Sequence, residues 1–95
     1  MFKIKELYLT NNNKKQELKF IKKNKLKNNY YIFLNYEKME LGSKINISLI
    51  DLKDNSVKNT ITSINKKHKS GIYLPKIDLS DLDTGEYLIK VEVNN

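Results

Sequence analysis

The sequence predicts an all-β sandwich of about seven strands, and three observations carry that expectation. Apolar residues recur with period two, not 3.6, through most of the chain. Turn signals separate the alternating runs at intervals of roughly eight to fourteen residues. With 95 residues there is length for one packed core and none for a second, so residues 1–95 read as a single domain. A chain of this size buries roughly 60–65% of its unfolded surface, enough for a core without staples.

The elements follow in order. FKIKELYL at 2–9 alternates like a strand, but its apolar phase slips between Ile4 and Leu7, which predicts a bulge. Asn11-Asn12-Asn13 is a turn, so a bulged, basic hairpin opens the chain. ELKFIKKNKLK at 17–27 fits a strand with Leu18 and Phe20 inward, or a helix carrying Leu18 and Ile21. Asn24, Asn28 and Asn29 are poor helix formers, and the strand is preferred. YYIFLNY at 30–36 places Tyr30, Ile32, Leu34 and Tyr36 on one face, with Tyr31 and Phe33 on the other. After a turn at Leu41-Gly42-Ser43, KINISLIDL sets Ile45, Ile47 and Leu49 on one face. Asp54-Asn55 is a hairpin signal leading into a strand from about Val57 to Ile64. KKHKSG is a polar loop, and IYLPKIDL then carries Ile72 and Leu74 in register as its inward pair. Pro75 cannot donate to a ladder, so that strand lies at an edge or bends there. Tyr87, Ile89, Val91 and Val93 alternate with Leu88, Lys90 and Glu92 in the last and most regular strand.

DTGEYLI, immediately before and within that last strand, has a mechanical reading. Gly85 is expected in a backbone conformation closed to other residues, and Tyr87 reaches back to lock the turn. Asp83, Thr84, Gly85 and Tyr87 resemble the tyrosine corner of immunoglobulin-like domains, including bacterial immunoglobulin-like and macroglobulin-like modules. Ile89 stands where such domains often have cysteine, and the resemblance spans roughly residues 41–95. It implies an immunoglobulin-like sandwich and no particular function. In that fold a further strand pairs beside the one after the corner, whereas only Asn94 and Asn95 follow Val93 here. The expectation is that Phe2–Leu9 folds back to cover that edge, with partner strand addition or an edge-to-edge dimer as alternatives.

Charge divides the chain. Residues 1–29 hold nine lysines against Glu6 and Glu17, a balance of +7; residues 30–95 hold nine lysines against nine acids. All basic residues are lysine and alanine is absent, a pattern of AT-rich coding that explains abundance but not asymmetry. Lys14, Lys15, Lys19, Lys22, Lys23, Lys25 and Lys27 on a strand pair would form one ridge, able to contact phosphates without reading bases or to meet an acidic protein surface.

Other chemistries find little support. Without cysteine there are no disulfides or thiolate metal sites, and no secretory signal or apolar span is evident, so a cytoplasmic, non-membrane protein is expected. His68 is a solvated loop residue, and Asp78, Asp81 and Asp83 lack the calcium-loop pattern and read as turn formers. Tyr30, Tyr31, Phe33 and Tyr36 read as packing aromatics in preference to base-stacking ones. No cofactor, metal or catalytic residue is expected. The expected function is non-enzymatic binding of another protein, as a small bacterial or phage accessory factor or inhibitor. Nonspecific nucleic-acid binding and a structural-subunit role are the alternatives.

Overall fold

Alternating sequences of this kind fold as strands because one face of each can be buried only against a second layer. The computed structural model describes residues 2–11, 14–16, 20–22, 30–79, 82 and 85–94, and among these there is no helix. The strands are β1 (Lys3–Asn11), β2 (Lys14–Gln16), β3 (Phe20–Lys22), β4 (Tyr30–Glu37), β5 (Lys44–Asp51), β6 (Ser56–Ile64), β7 (Gly71–Tyr73), β8 (Lys76–Ile77) and β9 (Glu86–Asn94). They form two antiparallel sheets, in the orders β2-β1-β4-β7 and β3-β9-β5-β6. β8 pairs with β4, as β7 does, so the two are one strand interrupted at Leu74-Pro75. The Pro75 carbonyl accepts the Ile32 N–H at 2.9 Å, and the proline lies in this interrupted segment at the margin of β4.

The two inner faces meet in one core. The first sheet contributes Leu9, Tyr30, Ile32, Leu34, Tyr36 and Ile77; the second contributes Ile45, Ile47, Leu49, Tyr87 and Ile89. The predicted inward positions of β4, β5 and the start of β9 are therefore correct, as is the bulge in β1 between Ile4 and Glu6. The expected hairpin at Asp54-Asn55 also forms, with Asn55 at φ 60°.

Three expectations are corrected. β1 does not cover β9; it pairs with β4 in the other sheet, and β3 lies beside the first residues of β9 instead. Ile72 and Leu74 point outward, 58% and 50% exposed, while Tyr73 packs on the core. The cause is register: Tyr73 lies opposite inward-facing Leu34, and Ile72 opposite Asn35. Gly85 does not hold a positive φ. That role falls to Gly42 at φ 89°, in the Leu41-Gly42-Ser43 turn.

Asn65 is a hub that the sequence did not announce. It is 6% exposed, its Nδ2 donates to the carbonyls of His68 (2.8 Å), Met39 (3.3 Å) and Glu40 (3.5 Å), and its own carbonyl accepts Gly42 N–H at 2.7 Å. One amide thus fastens the β4–β5 connection to the β6–β7 connection at one end of the sandwich.

Candidate functional site

Burying one face of β4 obliges its other face to look outward, and on the first sheet that outward face is aromatic. Tyr8 lies opposite Phe33 in the β1–β4 register, and their rings stack with centroids 4.5 Å apart and planes 13° from parallel. One row along, Tyr31 lies between Thr10 and Lys76, and Lys15 of β2 is the register partner of Thr10. On the other side Glu6 lies opposite Asn35, which donates to Glu6 Oε1 at 3.4 Å and is followed across the sheet by exposed Ile72. Lys3 and Glu37 close the rim as an ion pair at 3.8 Å. Tyr8, Tyr31 and Phe33 are half-buried, and Leu74 adds apolar surface at the β7–β8 break.

The result is an aromatic and aliphatic centre bordered by charged residues of both signs. Such surfaces suit macromolecular contact, because large rigid rings bury area at small entropic cost while the rim stays wet. The signal was present in YYIFLNY, whose second face holds Tyr31 and Phe33, but Tyr8, Ile72 and Lys76 join them only through pairing. Tyr30 and Tyr36, the other two aromatic residues of that run, are buried in the core.

The lysine segment is arranged otherwise than a single strand pair would make it. Lys14 and Lys15 lie in β2, at the margin of the first sheet, and Lys22 lies in β3, at the margin of the second. Only three residues separate β2 from β3, a reach of about 15 Å at most, so these margins lie on the same side of the sandwich. Lys19, Lys23, Lys25 and Lys27 lie outside the described residues, as do Leu18, Asp81 and Asp83. At the corner, Tyr87 is 1% exposed and not without a partner, and its ring would sit 3.8 Å from a Cβ placed on Gly85.

On the opposite side, between β6 and β7, an open cleft of about 290 Å³ is lined by Tyr36, Ile45, Ile64, Lys66, His68 and Tyr73 among others. The His68 backbone carbonyl accepts from Tyr36 Oη at 3.3 Å as well as from Asn65. This hydrogen bonding holds the Lys-Lys-His-Lys loop in place and supplies no acid–base pair. Among the described residues no group of three His, Cys, Asp or Glu side chains comes together, and no helix is long and apolar enough to cross a membrane. No protein-family model matches the chain, no curated protein matches it, and no solved structure matches it.

Proposed function

We propose that the chain is a non-enzymatic, immunoglobulin-like binding module that docks another protein on the outer face of the β1–β4–β7 sheet. One observation carries this reading: a half-buried aromatic cluster of Tyr8, Tyr31 and Phe33, extended by exposed Ile72 and Leu74, sits within a charged rim. An interface centre rich in aromatic residues concentrates binding energy, and the rim steers approach. The +7 balance of residues 1–29, which supply β1, β2 and β3, selects an acidic surface as the partner. The lysine-rich, alanine-free composition suits a small cytoplasmic accessory or inhibitor protein of a bacterium or phage.

The test is capture from nuclease-treated extract of the producing cell by the wild type and by a Tyr8→Ser/Phe33→Ser variant that remains folded by circular dichroism. A protein held by the wild type and released at least about tenfold more readily by the variant supports the reading. Equal retention by both overturns it.

A second reading rests on the Lys15–Thr10–Tyr31–Lys76 row, where an aromatic ring lies between lysine-bearing strands. Bases stacking on Tyr31 with phosphates over the lysines would give sequence-tolerant, single-stranded nucleic-acid binding. Oligonucleotide affinity falling linearly in log salt, and lost with Tyr31→Ala, would favour it.

A further inference from the structure

We infer that the cleft between β6 and β7 is a second docking site, which takes an acidic peptide segment by one of its apolar side chains. Ile72 borders both this cleft and the aromatic face, and nothing in the assignment depends on the function proposed for that face. Charge in residues 30–95 balances overall but not locally. Residues 55–77, which supply β6, β7 and β8, hold Lys58, Lys66, Lys67, Lys69 and Lys76 and no acid. Three of these lysines flank His68 in the β6–β7 connection, and the fold fixes the backbone that carries them. Met39 N–H donates to the Lys69 carbonyl at 2.8 Å, and Asn65 N–H to the Ser43 carbonyl at 2.8 Å. Tyr36 Oη and Asn65 Nδ2 both donate to the His68 carbonyl, at 3.3 and 2.8 Å. Lys66, Lys67, His68 and Lys69 are exposed, and among the described residues none of the four makes an ion pair. A cationic cluster on an immobilised backbone is preorganised for an anionic partner.

The cleft beside this loop is apolar. Buried Tyr36 and Ile45 floor it with Tyr73, while exposed Ile64 and Ile72 form its lips, and no carboxylate is among the residues that line it. At the adjoining end of β4, Glu37 is paired with Lys3, and Glu40 stands outside the lining. Residues 63–73 are described throughout. The internal segments outside the described residues attach at the Tyr30 end of β4, the Glu86 end of β9 and the β2–β3 side, away from the cleft. A volume of about 290 Å³ has room for one or two side chains, since roughly 150 Å³ holds a benzene ring. Small-molecule sites enclose most of their ligand, whereas this cleft is open to solvent. A longer chain can therefore leave one side chain in it and run on past the lysines, which meet its carboxylates. Single-stranded nucleic acid is gripped by flat aromatic platforms, whereas the lips here are branched isoleucines, which favours the peptide.

Titration of the isotope-labelled chain with end-capped pentapeptides, followed by backbone amide shifts, tests this. Glu-Glu-Phe-Glu-Glu is expected to shift amides within residues 63–73 and to saturate below about 1 mM. Replacing its phenylalanine by glycine is expected to weaken binding at least about tenfold, as are I64S and K66E/K67E, each variant still folded by circular dichroism. Absence of shifts within 63–73 overturns the inference, and so does equal affinity for the phenylalanine and glycine peptides. An oligothymidylate that shifts the same amides and binds more tightly than the peptide overturns it in favour of nucleic acid. Shifts confined to Tyr8, Tyr31 and Phe33 overturn it while leaving the function proposed for the aromatic face standing.

Discussion

The two outward faces of the sandwich obey the same alternation, yet the aromatic residues gather on one of them and the other mixes polar with aliphatic side chains. Across β1, β4 and β7 the outward residues include Tyr8, Tyr31, Phe33 and Ile72. Across β9, β5 and β6 they are Lys90, Glu92, Asn46, Ser48, Thr60 and Thr62, with Thr62 donating to Asn46 Oδ1 at 2.8 Å, together with an aliphatic row of Leu88, Ile50 and exposed Val57 and, at the other end, exposed Ile64. The core constrains only the inward positions, so outward composition is free to vary and reports what each face meets. On the second sheet Thr60, Thr62, Lys90 and Glu92 are exposed to water. An aromatic face on the other sheet is the departure that carries information.

The largest effect tests what both faces lean on. Asn65→Ala leaves the carbonyls of Met39, Glu40 and His68 without their shared donor and should cost about 2–3 kcal/mol in denaturant unfolding. A cost below about 0.5 kcal/mol would mean that the two loops hold without it.

The corner in the second sheet comes next. Tyr87→Phe should cost about 1 kcal/mol if its hydroxyl is bonded as in a tyrosine corner. Glycine substitutions separate two turns that look alike in sequence. Gly42→Ala, at φ 89°, should destabilise by about 1 kcal/mol. Gly85→Ala meets only ordinary contact with the Tyr87 ring at 3.8 Å and should fall within about 0.5 kcal/mol of the wild type. Equal losses at the two glycines would contradict the backbone geometry.

Double-mutant cycles compare the faces themselves. Tyr8 with Phe33 should show a coupling of about 1 kcal/mol, as stacked cross-strand aromatics do. Asn46 with Thr62, solvent-exposed on the other sheet, should couple by about 0.3 kcal/mol. If Tyr8–Phe33 coupling is strong while partner affinity is indifferent to the pair, the aromatic face serves the sheet and not a partner.

The smallest effect is a pH dependence at the β5–β6 hairpin. Asp54 titrates below the ordinary aspartate range because the Ser56 hydroxyl, at 2.6 Å, and then the Ser56 amide donate to Oδ1, with Lys58 adding attraction. A depressed carboxyl contributes its stability fully above the ordinary aspartate range, and that contribution is lost as pH falls through the lowered native value. The urea midpoints of wild type and Ser56→Ala should therefore converge in acid and separate slightly near neutrality. A constant difference across that range would detach Asp54 from the hairpin.

By itself the sequence determined what is local. Period-two alternation assigned the inward sides of β4, β5 and the start of β9, the phase slip located the bulge, and Asp54-Asn55 located a hairpin, because strand geometry and turn chemistry act over a few residues. Even locally it misjudged Ile72 and Leu74, since a three-residue strand has too little alternation to set its own phase and takes it from Leu34 and Asn35 across the ladder. It also assigned the special backbone conformation to Gly85, where Gly42 has it. Only the tertiary structure decided which strands are neighbours. It placed β1 against β4 rather than β9, set Lys14 and Lys15 in one sheet and Lys22 in the other, brought Tyr8 onto Phe33 and gave Asn65 its three carbonyls. Pairing joins residues tens of positions apart and depends on which edges remain to be satisfied once the core has closed, a competition that no short stretch of sequence encodes.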